Sequence, residues 1–152
     1  HGKYEGEPGQ PTHLYNVQAL HDADLRLGVC EGELDAIVAT CVAQLPSVGV
    51  PGATGWKAHW YRLVDDFDEV FILGDGDKAG RDFVAKLAPN IPGAIGRPMP
   101  AGHDVSSFVL EQGVQPFIDY CRGATIPQTA SVGGAAGEPP STIERGRDER
   151  DR

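Results

Sequence analysis

The stretch Glu69-Val70-Phe71-Ile72-Leu73-Gly74-Asp75-Gly76-Asp77-Lys78-Ala79-Gly80 decides how this chain is read. Its apolar, β-forming start is the pattern of a strand buried on both faces of a parallel sheet. Asp75 and Asp77 follow, separated by one glycine. Side chains two apart in extended chain lie on the same side. At a rise of about 3.3 Å per residue the two carboxylates stand about 6 to 7 Å apart at the backbone and converge at their oxygens. Two unpaired carboxylates that close repel each other and call for a cation. A hard divalent ion such as Mg²⁺ fits, because it takes oxygen ligands and combines one or two carboxylates with substrate phosphates. Gly74 and Gly76 are expected to permit close backbone approach and unusual dihedrals. Lys78 and Arg81 enter the next helix near its positive N-terminal end, where phosphate oxygens are favoured. Metal plus phosphate is the chemistry this stretch implies.

A second stretch has the same layout. Leu25-Arg26-Leu27-Gly28-Val29-Cys30 reads as a strand, and Glu33 to Gln44 carries helical periodicity through Leu34, Ile37, Val38, Cys41 and Val42. Glu31 therefore hangs at a strand end, the place where open α/β sheets put their ligands. Asp35 falls in the first helical turn, where a negative charge is stabilised by about 0.3 to 1 kcal/mol with no function at all. Its structural and functional readings carry equal weight, whereas a helix start does not require Glu31 before its glycine.

Other motifs fail on specific residues. Asp75-x-Asp77 opens like a calcium loop, but the fifth ligand position is Ala79 and the twelfth is Lys86. Neither Gly-x-x-x-x-Gly-Lys-Ser/Thr nor a strand followed by Gly-x-Gly-x-x-Gly is present. Cys30, Cys41 and Cys121 make no Cys-x-x-Cys pair, and the histidines lack ligand spacing, so no zinc site is visible.

Taken together, Glu31-Gly32-x-x-Asp35-Ala36, Asp75-Gly76-Asp77-x-Ala79-Gly80 and Gly102-His103-Asp104-Val105 resemble the TOPRIM domain shared by DnaG-type primases, topoisomerases, some nucleases and recombination mediators. Asp-x-Asp-x-Ala-Gly with a later Asp-Val is most similar to the bacterial and phage primase branch. The resemblance covers about residues 25 to 113, with Gly2-Lys3-Tyr4 and Leu14-Tyr15-Asn16 similar to the segment that leads into it. It implies an α/β fold, a TOPRIM-like (Rossmann-like), mainly parallel four-stranded sheet flanked by helices. It also implies that Glu31 serves acid-base chemistry or metal positioning and that Asp75 and Asp77 hold Mg²⁺ or Mn²⁺. Asp104 reads equally as a further carboxylate of that site and as the N-cap of a helix through Phe108-Val109-Leu110. His103 replaces the lysine that primases often carry before the third acidic motif. It can donate a hydrogen bond to phosphate without a fixed positive charge. The implied partners are a DNA template, nucleoside triphosphates, and other primase subdomains or a helicase. A nuclease using the same metal cluster, and a binding module that has lost its chemistry, are the alternative functions.

Composition limits these readings. The chain has 152 residues and a formal net charge of −9. From residue 125 onward Gly, Pro, Ser, Ala and charged residues replace the aromatics, a tail expected to be disordered. The expected organisation is a lead-in over residues 1–24, one domain over 25–124, and that tail. Arginines in the tail are offset by its acids, so the body keeps nearly all of the acidic excess. That is a poor footprint for independent DNA binding. A local basic surface around Lys57, Lys78, Arg81, Lys86 and Arg97, or a partner, must supply the attraction. Val48-Gly49-Val50-Pro51-Gly52 reads as a short strand and turn. Trp56 to Asp66 reads as a helix with Trp56, Trp60 and Leu63 on one face, the tryptophans as packing residues and Lys57 as a phosphate contact. Asp65-Asp66-x-Asp68-Glu69 reads as a solvated loop. A strand over Ala94 to Met99 and helices over Asp104 to Gln112 and Gln115 to Arg122 complete the layer. Reduced thiols and the lack of a membrane-spanning run point to the cytoplasm of a bacterial or phage-infected cell. The missing zinc module and helicase phosphate loop make the chain read as a piece of a larger primase.

Overall fold

The computed structural model describes residues 11–125. Four strands, β1 (Arg26–Cys30), β2 (Ser47–Gly49), β3 (Glu69–Leu73) and β4 (Ala94–Gly96), form one sheet in the order β2-β1-β3-β4. All three pairings are parallel, so each connection must cross over the sheet. Helix α1 (Ala19–Asp22) precedes β1, and α2 (Glu33–Cys41) joins β1 to β2. A short 3₁₀ turn, Ala58–Trp60, runs into α3 (Tyr61–Val64) before β3. Helix α4 (Lys78–Leu87) joins β3 to β4, and α5 (Val105–Gln112) and α6 (Val114–Cys121) follow β4. This is the expected mainly parallel four-stranded sheet flanked by helices.

The apolar run of β3 is divided between two cores by its pleat. Val70 and Ile72 join Leu27, Val29, Trp56, Trp60, Val64, Phe83 and Leu87 on one face. Phe71 and Leu73 join Cys30, Ala36, Ala39, Phe108 and Phe117 on the other. Burial on both sides is why the strand shows no apolar/polar alternation. Leu14 and Ala19 from the lead-in are buried in the first cluster, and Tyr15 bridges to Gly49 at the edge of β2. Gly2-Lys3-Tyr4 and the tail beyond Thr125 lie outside the described residues.

Several boundaries and faces differ from the sequence expectation. Helix α2 stops at Cys41 instead of Gln44, which takes a left-handed φ of 55°. Most of its apolar stripe faces outward: Leu34 is 59% and Val42 51% exposed, while Val38 packs partly against the core and Asp35, Ala36 and Ala39 are buried. The sheet approaches too closely for large side chains here. A Cβ on Gly49 would lie 3.3 Å from the Ala36 Cβ. Leu63 is exposed and Val64 takes its core position, because Trp56 precedes the helix and the 3₁₀ turn shifts its phase. The tryptophans are core residues as expected, meeting edge to face with centroids 5.6 Å apart. Strand β4 ends at Gly96 because Pro98 has no N–H, although Arg97 and Met99 still donate to the Ile72 and Gly74 carbonyls. Glu69, read both as the start of the strand and as the end of the preceding loop, begins β3 and pairs with Arg26.

The glycines after β3 serve closeness. Neither Gly74 nor Gly76 is among the described glycines with positive φ, so the unusual dihedrals expected there are not found. A Cβ on Gly74 would overlap the Gly80 carbonyl oxygen, one on Gly80 the backbone of Asp75, and one on Gly76 the Pro100 carbonyl oxygen. We expect Gly80→Ala to destabilise the fold by about 2 kcal/mol or more, since backbone on both sides cannot yield. Gly52→Ala meets open space at a φ of 77° and should cost only about 1 kcal/mol. Urea denaturation of the two variants measures the difference; equal losses would contradict the packing account.

Candidate acidic site at the C-terminal edge of the sheet

Parallel register positions the first two acidic motifs. Cys30 stands opposite Leu73, so the residues that follow each strand leave the sheet side by side. Glu31 N–H donates to the Leu73 carbonyl at 3.3 Å, and the Glu31 carboxylate accepts from the Asp75 N–H, also at 3.3 Å. The third motif is tied in through backbone. Gly76 N–H donates to the His103 carbonyl at 2.7 Å, an approach that only the missing Cβ of Gly76 permits. A link between the first and third motifs completes the ring: Asp35 accepts from both the N–H and the hydroxyl of Ser106, each at 2.8 Å.

Each acidic side chain has a distinct setting. Asp77 is the N-cap of α4, its carboxylate accepting from Gly80 N–H at 2.8 Å, and is exposed. Asp104 is the N-cap of α5 in a reciprocal capping box with Ser107. The cap expected for Asp104 is therefore present, and Asp35, buried against α5, has a definite structural role.

Acidic charge is concentrated here. Among the described residues neither Glu31 nor Asp75 forms an ion pair with Lys or Arg. Burial, reinforced by the Glu31 and Asp35 carboxylates, pushes Asp75 up to about 7. Burial also raises Glu31, opposed by its bond from Asp75 N–H and reinforced by Asp77 and Asp35. Oxygen donors, mutual repulsion and partial burial fit a hard divalent cation. Among the described residues, however, no three His, Cys, Asp or Glu side chains converge as a ready-made metal group. Beneath the site, burial and the neighbouring Asp35 raise the Cys30 thiol well above its ordinary value, so it stays protonated and is no nucleophile.

The candidate phosphate contacts are dispersed. Lys78 pairs with Asp82 one turn along α4, and Arg81 donates to the Gly76 carbonyl at 3.4 Å. Lys57 is exposed after the β2 turn, with no hydrogen bond or ion pair joining it to the acidic residues. His103 lies 2.9 Å from Glu111, and that carboxylate raises its pKa, returning part of the positive charge that a neutral imidazole lacks. Sequence reasoning missed Ser106 and Glu111. Ser106 is 71 positions from Asp35 and sits inside a pattern already explained as a cap, so no local signal marks it.

No model of a known protein family matches the chain. The gene 57 protein of Mycobacterium phage D29 is 41% identical over 117 residues, covering 77% of this chain and 76% of the phage protein. Among solved structures, a DNA primase domain from Pseudomonas aeruginosa is similar with a TM-score of 0.61 and 25% identity, covering 74% of this chain and 38% of that one. The RNA polymerase domain of Mycobacterium tuberculosis primase DnaG, in complex with double-stranded DNA, gives 0.58 and 22% identity over 74% of this chain and 39% of that one. The chain thus spans under two fifths of the primase structures it matches.

The carboxylate cluster makes a pH prediction. Asp75 has a folded value of about 7, and its unfolded value is about 3.9. Between them the native state holds the extra proton, so this residue's contribution is fully present at low pH and is lost as pH rises toward 7. In metal-free buffer Asp75→Asn should therefore be more stable than wild type at about pH 8, and the advantage should vanish toward about pH 4. Thermal denaturation across that range checks it; a pH-independent difference would show that Asp75 is not confined with its neighbours.

Proposed function

Because the chain belongs to the family of the gene 57 protein of Mycobacterium phage D29 and has the fold of the DnaG-type primase core, we propose that it is the metal-dependent nucleotidyl-transfer domain of a DNA primase, acting in RNA primer synthesis during DNA replication. The observation that carries this reading is the bond from the Asp75 N–H to the Glu31 carboxylate, which sets two half-buried carboxylates side by side, neither of them ion-paired with a Lys or Arg among the described residues.

In this reading Asp75 and Asp77 hold Mg²⁺ or Mn²⁺, with Glu31 beside them and Asp104 and Asp35 adding negative charge behind. A divalent ion bound there would supply charge neutralisation for the triphosphate as a nucleotide 3′-hydroxyl attacks. The chain's own residues do the positioning. Glu31, its pKa raised from the ordinary value by burial, is the carboxylate placed to take up or release a proton at its oxygen. Asp77 keeps the start of α4 in place, presenting Lys78 and Arg81 at the helix end where phosphate oxygens are favoured. Lys57 and His103 provide further phosphate contacts from the flanking loops.

DNA template and nucleoside triphosphates are the substrates in this account, and the complex of the tuberculosis primase with DNA supports the first. A net charge of −9 makes the grip on DNA weak without other primase subdomains or a helicase to contribute a basic face. Among the described residues no helix is long and apolar enough to cross a membrane. The cytoplasm of a bacterial or phage-infected cell is the setting this function requires.

In the complete protein, Glu31→Gln and Asp77→Asn should each lower primer synthesis by about a hundredfold or more while the thermal transition stays near that of wild type. The amide at residue 77 retains the cap and removes the charge. Wild-type synthesis in either variant would refute the assignment. DNA cleavage by the purified chain with Mg²⁺ or Mn²⁺ would transfer the same carboxylates to a nuclease, with water as the nucleophile.

A further inference from the structure

The opposite edge of the sheet carries a groove that the acidic site does not use. It has a volume of about 780 Å³ and is bounded by the starts of β1 and β3, the loop between α2 and β2, and the end of α6. The strands are five residues long, so it lies about 15 Å from the acidic edge. Leu25, 53% exposed, and the partly exposed Leu45 and Ile118 offer reachable apolar surface, with Phe71 and Phe117 beneath them. Among the described residues its rim is acidic. Arg26 is already paired with Glu69, which leaves Asp22, Asp24 and Asp68 against one guanidinium of the described lining, Arg122.

An apolar floor within an acidic rim selects its occupant. We propose that this groove docks an amphipathic helix of a partner protein that carries Lys or Arg on its polar side. DNA and anionic membranes would be repelled by the rim, and so would a second copy of this chain, with its net charge of −9. A basic partner meets both requirements, since its apolar residues cover Leu25 and Leu45 and its cations face Asp24 and Asp68. Docking there leaves Glu31, Asp75 and Asp77 open, and would bring positive charge to a domain that lacks it. The inference does not depend on the chemistry proposed at the other edge.

The test is fluorescence anisotropy on the 152-residue chain with a labelled Leu/Lys peptide of about four helical turns, which spans about 20 Å. A scrambled peptide of identical composition has its leucines spread around the helix. The amphipathic peptide should bind at least about tenfold more tightly than the scrambled one. Asp24→Lys with Asp68→Lys should weaken it at least about tenfold, and Leu25→Asp should do the same. Reversing two acids elsewhere, Glu33→Lys with Asp82→Lys, should change affinity by less than about twofold. Equal affinity for the scrambled peptide, equal loss in the control pair, or tighter binding of a DNA duplex that Leu25→Asp weakens would each overturn the proposal.

Discussion

Pairing of Cys30 with Leu73 across the parallel β1 and β3 is the constraint from which the acidic edge follows. Once those residues are opposite each other, Glu31 and Asp75 must leave the sheet together, and the Asp75 N–H reaches the Glu31 carboxylate. Repulsion between the two acids would be relieved by a small outward movement of either loop. Interlocked backbone opposes it: Gly74 against Gly80, Gly76 against Pro100 and His103, and Asp35 against Ser106. The fold thus confines charge that would separate if it were free, and the pKa of Asp75 is raised first by burial and then by the carboxylates held beside it.

Much of this architecture was legible because the signals were local. Val70 to Leu73 has the unbroken apolar character of a doubly buried strand, and Asp75 and Asp77 follow where that strand gives way to a helix. The buried face of α2 was not legible. Leu34, Ile37 and Val42 form a good helical stripe, yet the close approach of Gly49 admits only alanine, and the more hydrophobic side faces outward. Period alone reports that a helix has an apolar side, and cannot report that the packed side is chosen by the space available.

The candidate site shows the same division. Glu31, Asp75, Asp77 and Asp104 were visible as motif residues, whereas Asp77 and Asp104 also close helix ends. The ring of bonds that brings the motifs together was hidden. Ser106 serves Asp35 from the far side of the sequence, and Glu111 raises the pKa of His103 from near the end of α5, eight residues on. The phosphate contacts were the least accessible to sequence reasoning, because lysine side chains take their partners from the surface around them, as Lys78 does with Asp82.

Like charges held by a rigid edge should attract a divalent cation even in the absence of substrate. Calorimetric titration of Mn²⁺ into the metal-free chain and into Asp75→Asn tests this most directly. The account predicts saturable, stoichiometric binding to the wild type and an affinity lowered at least about tenfold in the variant. Wild-type protein that takes up no Mn²⁺, or a variant that binds it equally well, would contradict the account.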